Sequence, residues 1–161
     1  MNIVKFDKQI NKQLKAIRDR LKKIALEAAD FVMNRLAYEF SPVWTGTYIL
    51  SHRVGINGMT DSGYTNMVPS GLLPGQVPDK VSPAAALSFR VTASGRVKKR
   101  INTKKMPDQG TVLIYNQSPM AMTVETLPDK YLKGNMEPYH PYRKAKIALF
   151  RELPAIIERV K

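Results

Sequence analysis

Cysteine is absent from this chain of 161 residues, and so is any long uninterrupted apolar run. Without cysteine there is no disulfide, no thiolate metal ligand and no cysteine nucleophile. No stretch approaches the roughly 20 consecutive apolar residues that a membrane-spanning helix needs. The N-terminus carries lysines but no compact apolar segment with a cleavage site, so we expect neither a signal peptide nor a membrane partner.

Acidic residues are also scarce, because 13 Asp and Glu stand against 26 Lys and Arg, giving a net charge of +13. A surface this basic favours polyanionic partners, of which nucleic acid is the commonest. The alternative is a solvated basic surface with no dedicated partner. No aromatic platform or known nucleic-acid-binding motif accompanies the charge, which argues against recognition of a base sequence.

The length and a hydrophobic content of 43% predict a single domain over residues 1–161. Its first element is a long helix over residues 1–40, because apolar side chains recur at alternating spacings of four and three. This stripe comprises Ile10, Leu14, Ile17, Leu21, Ile24, Ala28 and Phe31, with Ile3 and Phe6 upstream.

Such a helix is too long for its own domain, since at about 1.5 Å per residue it exceeds 50 Å. We therefore expect its C-terminal half to pack on the sheet and its N-terminal half, with Ile3, Phe6 and Ile10, to contact a neighbouring subunit. A two-stranded coiled coil is the alternative interpretation.

The helix meets a predicted strand at residues 41–54. Ser41 and Pro42 end the helix, because the residue before a proline is displaced from the helical region. Thr45 and Gly46 belong to a turn. From Tyr48 onward apolar residues recur at even spacing, which predicts a strand over residues 47–57.

Residues 58–83 are rich in glycine and proline but also contain apolar side chains. A segment of this length without regular structure is unusual inside a compact domain. We interpret it as an extended arm that orders against a partner, with Met67, Leu72 and Leu73 as candidate interface residues. A mobile surface loop is the alternative.

Residues 84–93 alternate between small or apolar and polar side chains, which predicts a strand. Ser94 and Gly95 then indicate a hairpin whose second strand includes Val97 and Ile101. The hairpin would carry a dense basic cluster, a candidate contact for a polyanion or for DNA in a channel. Its members are Arg96, Lys98, Lys99, Arg100, Lys104 and Lys105. An edge hairpin protected by charge from aggregation is the alternative.

Residues 111–116 form an apolar segment that predicts a central strand. A short helix is expected from Pro119 to Thr126, then a proline-rich stretch over 127–141, then a C-terminal helix over 138–161 that Pro154 should kink. The order of elements predicts an α+β fold. Its antiparallel sheet packs against the long N-terminal helix and the C-terminal helix, and long irregular arms leave the domain.

Residues able to carry out chemistry are few and scattered. His52 and His140 are the only histidines, and neither has ligands at a metal-binding spacing. No carboxylate pair, phosphate-binding loop or nucleophile elbow is present, so we expect no enzyme, no metal and no cofactor. His52 is interpreted as a residue at the edge of the core. Glu125 is expected to cap backbone donors or to pair with an arginine rather than to catalyse.

Three stretches resemble the neck proteins of tailed bacteriophages, the head–tail joining or tail-completion family. Ser41-Pro42-Val43-x-Thr45-Gly46-x-Tyr48-x-x-Ser51 is similar to that family's S-P-V-D-T-G-x-L-R-x-S. The segment from Val112 to Glu125 resembles V-x-N-x-x-x-Y-A-x-x-x-E, and Pro141-Tyr142-Arg143-Lys144-Ala145 resembles P-F-L-R-x-A.

The chain departs from the family pattern at Trp44, Met120 and Leu127. We therefore apply the resemblance at residue level only to five structural signature positions, which are Ser41, Pro42, Thr45, Gly46 and Glu125. The order of predicted elements resembles that of the family over residues 1–155, whereas the matching motifs cover about thirty residues.

The resemblance implies a structural virion protein without catalysis, located in the neck and assembled in the host cytoplasm. Its subunits would form a ring around the DNA channel. Its expected partners are further copies of itself, a portal-side connector or adaptor, tail terminator or tail-tube proteins, and packaged DNA held without sequence specificity. Two alternatives are a small basic nucleic-acid-binding protein, and a tail terminator or tail-tube subunit.

Overall fold

The structure, a computed structural model, describes residues 3–43, 46–58, 80–102, 106–108, 110–119, 121–126 and 140–160. Its helices are α1 (Ile3–Arg35), a π-helical turn (Leu36–Phe40), α2 (Thr47–Leu50), α3 (Pro83–Ser94), α4 (Arg96–Arg100), α5 (Ala121–Thr126) and α6 (Pro141–Arg159). Its strands are β1 (His52–Ile56) and β2 (Val112–Asn116). The described chain is mostly helical with one two-stranded antiparallel sheet, which confirms the α+β class. Most of the expected arm, including Met67, Leu72 and Leu73, lies outside these residues.

The long first helix is confirmed, and its end has an identifiable cause. After α1 the backbone widens into the π-helical turn, and the Ser41 N–H donates to the Leu36 carbonyl at 3.0 Å. Ser41 then takes an extended conformation with ψ of 132°. This is the conformation that the following Pro42 requires of its predecessor.

The face of α1 that enters the core differs from the expected one. Ala29, Met33, Leu36 and Ala37 are buried, whereas Ile24, Ala28 and Phe31 are only partly covered. At about 100° per residue, these four buried residues lie roughly a third of a turn around the helix from the predicted stripe of Ile10 to Phe31, here called the heptad stripe. The expectation that the C-terminal half of α1 packs on the sheet is confirmed, but it does so mainly through a second apolar face, with Ala29 and Met33 against Val54.

The sheet is smaller than predicted. β1 and β2 pair antiparallel, with His52 opposite Asn116 and Val54 opposite Ile114. In the described part of the chain β2 has no other strand beside it, so its expected central position is wrong. The predicted strand over 47–57 is also shortened, because Gly46 has a φ of +88° and starts the single turn α2 before β1 begins.

The predicted hairpin over 84–101 is helical instead. Ser82 caps α3 by accepting a hydrogen bond from the Ala85 N–H at 3.3 Å, and Pro83 occupies the first turn. Three consecutive alanines then follow, and alanine has the highest helix propensity. Gly95 keeps a right-handed conformation, φ −72°, so that the chain continues into α4. Ala93 and Val97 are the buried residues of this pair of helices.

The last helix packs along the first in the opposite direction. α6 begins at Pro141 rather than at 138 and continues through Pro154. Near the C-terminal end of α6, Arg20 of α1 donates hydrogen bonds to the carbonyls of Ile157 and Val160, at 3.1 and 2.8 Å. Ala145 and Ile156 are its buried apolar side chains. The expected short helix after Pro119 is present as α5.

Candidate functional site

The three stretches that carry the family resemblance meet around His52, which is fully buried. Its Nε2 lies 2.8 Å from the Ser41 hydroxyl, which belongs to the first stretch. Its Nδ1 lies 2.8 Å from Tyr142 Oη and 3.2 Å from Asn116 Nδ2, which belong to the third and second stretches. His52 therefore connects the end of α1, the sheet and the start of α6.

The hydrogen bonds of Asn116 decide the tautomer of His52. Its amide oxygen accepts from the Ser118 N–H at 2.8 Å, and its amide nitrogen donates to the Tyr48 carbonyl at 2.8 Å. The amide therefore turns a donor towards His52 Nδ1, which must act as the acceptor. The proton then sits on Nε2 and is donated to Ser41.

The imidazole is held neutral. Burial, and then the nearby positive charges of Arg96 and Arg53, lower the pKa of His52 to about 3. The Arg96 guanidinium donates to the carbonyls of His52 and Leu50 at 2.9 and 2.8 Å. His52 is thus a central core residue, and its expected place at the core edge is wrong.

Two tyrosines close the cluster. Tyr48 meets the His52 ring edge-on with centroids 5.2 Å apart, and Tyr142 is tilted against it at 5.6 Å. Burial raises the pKa of both phenols, and the Glu125 carboxylate adds to the effect. At neutral pH the imidazole and both phenols are therefore uncharged, and the cluster serves to join three segments of chain.

Glu125 has the capping role that its sequence context suggested. Its two carboxylate oxygens each accept one backbone N–H, from Tyr142 and Arg143, both at 3.0 Å. Pro141 has no N–H, so these are the first two donors of α6. A negative charge at this end also interacts favourably with the helix dipole.

We expect Glu125→Ala to destabilise the protein by about 1–2 kcal/mol, the usual range for loss of a helix cap. Denaturant unfolding followed by circular dichroism measures the loss. Glu158→Ala, an exposed acid near the other end of α6, is the matched control and should change stability by less than about 0.5 kcal/mol. Equal effects of the two substitutions would contradict the capping role.

The other signature positions lie at the same junction. Ser41 and Gly46 are buried, Pro42 is half-buried, and Thr45 lies outside the described residues. Gly46 packs against the Phe89 ring of α3 so closely that a Cβ there would lie 2.5 Å from Phe89 Cε2. The sequence did not single out Phe89, Asn116 or Tyr142, although Asn116 and Tyr142 stand within the resembling stretches.

The N-terminal part of the α1 stripe is an exposed row of four large apolar side chains. Ile10, Leu14, Ile17 and Leu21 are 38%, 43%, 56% and 58% exposed. Every residue from Asp7 to Leu21 is exposed. The first tertiary contact recorded along this stretch is made by Arg18, which pairs with Asp108 at 3.2 Å. Ile3 and Phe6 belong to the same helix, but the structure does not describe their side chains.

The described members of the basic cluster do not all share one surface. Arg96 points inwards to backbone carbonyls, so it is not a surface contact for a polyanion. Lys98 pairs with Asp30 at 3.1 Å, and Lys99 and Arg100 are exposed on α4. Lys104 and Lys105 lie outside the described residues. Among the described members of the cluster, the candidates for polyanion contact are therefore those on the outer side of α4.

The described residues contain no group of three or more His, Asp or Glu side chains placed to hold a metal ion. They also contain no helix that is both long enough and apolar enough to span a membrane. An apolar groove of about 600 Å³ runs between α1, β2 and α6, lined among others by Ala28, Val32, Ile114 and Leu149.

No protein-family model, no curated protein and no solved structure matches this chain.

Proposed function

We propose that this protein is a structural subunit of a tailed-phage neck, which assembles with further copies into a ring around the DNA channel. The observation that carries the proposal is the exposed apolar stripe of α1. A regular row of four large apolar side chains on a helix is normally covered. In the described residues nothing covers it, so another subunit is the natural partner.

The strength of this contact favours a closed ring. Fully burying one Leu or Ile contributes about 1.5–3 kcal/mol, so four half-exposed side chains leave roughly 3–6 kcal/mol unrealised. Association costs an estimated 4–15 kcal/mol, so one such contact is weak alone. In a ring each subunit makes two contacts. The contact that closes the ring joins subunits that are already bound, so it adds binding free energy without the cost of immobilising another subunit.

The convergence around His52 supports placing the ring in a phage neck. Residues from all three resembling stretches, Ser41, Asn116 and Tyr142, contact one imidazole, and Glu125 caps the helix that supplies Tyr142. The resemblance therefore concerns residues that hold the fold together. A ring at this position would have DNA as a neighbour, and the net charge of +13 suits that surrounding.

The experiment replaces Leu14 and Ile17 together by lysine in the full chain, within cells that produce the virus particles. We expect a folded protein and few particles joined to tails, because two charges cannot be buried unpaired in an apolar contact. Electron microscopy counts joined particles. Gln9→Lys with Ala16→Lys, which adds the same charge about a third of a turn away, is the control. Normal joining by the Leu14 and Ile17 variant would contradict the proposal.

A basic nucleic-acid-binding protein is the second proposal, favoured by the exposed Lys99 and Arg100 beside Lys98 on α4. It requires tight, salt-sensitive binding that charge reversal at these three positions removes. A ring subunit instead predicts weak binding at physiological salt, with little preference among DNA sequences. Fluorescence anisotropy across a salt series distinguishes them, and tight sequence-specific binding would contradict the ring. A tail terminator or tail-tube subunit would share the ring but copurify with different neighbours.

A further inference from the structure

Helix α6 carries a second exposed apolar stripe. Ile147, Phe150 and Ile157 are 45%, 64% and 41% exposed, and Pro154 between them is exposed as well. The buried residues Ala145 and Ile156 lie on the other side of this helix, more than a third of a turn away. A helix with apolar side chains on both sides is expected to be covered on both.

Within one chain the α1 stripe does not cover this surface. The two helices run in opposite directions, and Arg20 of α1 lies beside Val160 where α6 ends. At about 1.5 Å per residue, Leu14 lies roughly 9 Å beyond that point and Phe150 roughly 15 Å before it. The middles of the two stripes of one chain are therefore roughly 19 Å apart along the helix axes. Leu21 and Ile157, at the ends of the stripes, lie at a similar level but both remain exposed.

The two stripes match in length and spacing. From Ile10 to Leu21 the α1 stripe extends about 16 Å, and from Ile147 to Ile157 the α6 stripe extends about 15 Å. Both follow alternating steps of three and four residues, when Pro154 is included in the second. This is the spacing at which helices pack side by side with interlocking side chains.

Charge favours α6 over a second α1 as the receiving surface. Residues 10–21, which span the α1 stripe, contain Lys12, Lys15, Arg18 and Arg20 against one acid, Asp19. Pairing two copies of α1 would bring these positive charges together, and like charges oppose association. Residues 147–157, which span the α6 stripe, are balanced, with Arg151 against Glu152, whereas the preceding part of α6 is basic through Arg143, Lys144 and Lys146.

We propose that the α1 stripe of one copy packs on the outer α6 stripe of the next copy. This inference rests on the proposed ring and names its contact. Each copy then offers two different surfaces, a helix that projects and a helix that receives it. Contacts of this head-to-tail kind propagate in one direction and close when the rotation between copies allows.

Because the chain contains no cysteine, the contact is testable by disulfide cross-linking. The chain is made with Leu14→Cys, with Phe150→Cys and with both, and each is mildly oxidised. We expect the double variant to give a ladder of covalent multiples of 18.2 kDa on a non-reducing gel. An equal mixture of the single variants should give mostly a covalent dimer of one of each. Ala16→Cys with Phe150→Cys, whose first position lies off the stripe, is the control and should give no ladder.

The remaining outcomes separate the contact from the ring. Efficient dimers of Leu14→Cys alone would indicate symmetric pairing of α1 and would overturn the proposal. A native mass that is a discrete multiple of 18.2 kDa, without a cross-link between positions 14 and 150, would overturn this contact but leave the proposed ring intact. A protein that stays at 18.2 kDa under all conditions would overturn both.

Discussion

Replacing Gly46 with alanine is expected to destabilise the fold by about 2–5 kcal/mol, in two parts. Gly46 has a φ of +88°, where an L side chain costs about 1–2 kcal/mol. A Cβ would also lie 2.5 and 2.7 Å from two carbons of the Phe89 ring, and forced overpacking costs about 1–3 kcal/mol. Gly46→Val should be worse for both reasons.

Gly95 supplies a matched control. Its φ of −72° suits any residue, and an added Cβ would lie no nearer than 3.6 Å to the Val91 carbonyl oxygen. We expect Gly95→Ala to be neutral, or to stabilise by up to about 1 kcal/mol. Combining Gly46→Ala with Phe89→Ala should remove the clash but keep the backbone strain. Urea unfolding measures all three, and a Gly46→Ala variant as stable as Gly95→Ala would contradict the account.

If the proposed ring forms, we expect this position to affect its assembly. Gly46 lies between the end of the long helix and α2, and the ring of Phe89 fixes the distance from that turn to α3. A displacement here would change the angle at which α1 leaves the domain. Folded molecules of the Gly46→Val variant should therefore assemble poorly, and native-like particles from them would count against a geometric role.

Lowering the pH from about 6.5 towards 3 is expected to remove stability that depends on His52. The pKa of His52 falls from about 6.5 in the unfolded chain to about 3 in the fold. Between these values the unfolded state binds one more proton at this residue, so acidification favours unfolding. The contribution of His52 to the free energy of unfolding is complete above pH 6.5, and about 1.4 kcal/mol of it is lost for each pH unit below that value.

The His52→Gln variant isolates the pH-dependent contribution of His52 to the free energy of unfolding, because glutamine does not titrate. At pH 7.5 it should be less stable than the wild type by about 2–3 kcal/mol, since Ser41 and Tyr142 lose a buried partner. The difference should shrink as the pH falls and should nearly vanish around pH 4.5. Guanidinium unfolding curves at several pH values measure it. A difference that stays constant from pH 7.5 to 4.5 would show that His52 titrates normally in the fold.

Periodicity identified the elements whose signal was long or local. The heptad stripe predicted α1, the apolar spacing after Pro141 predicted α6, and the apolar run at 112–116 predicted β2. The conformation before Pro42 followed from local chemistry. These features depend on residues close in sequence, or on a period repeated many times. The capping role of Glu125 was also expected, but the sequence did not identify the helix that it caps, which begins 16 residues further along the chain.

Residues 84–93 show where that reasoning fails. Their alternation of residue types is real, but over ten residues it is compatible with a helix that buries Phe89 in part and Ala93 completely. The decisive signals were the Ser82 cap, Pro83 and the alanines, which favour a helix start over an edge strand. Alternation alone cannot outweigh such a start signal.

The two apolar faces of α1 show a second limit. Both faces have helical spacing, and the sequence does not say which one the domain itself covers. The C-terminal half of the more regular row, which ends at Phe31, was expected to pack on the sheet, whereas Ala29, Met33 and Leu36 of the second face are the buried residues. The cluster at His52 was equally out of reach, because it joins residues about 90 positions apart that only the tertiary fold brings together.

The native mass of the full chain tests the central claim most directly. Light scattering and native mass spectrometry across a micromolar concentration series, with and without added salt, would measure it. A ring built through the exposed stripe predicts a discrete multiple of 18.2 kDa that the Leu14→Lys and Ile17→Lys double variant reduces to the monomer. A wild-type protein that stays at 18.2 kDa throughout the series would contradict the claim.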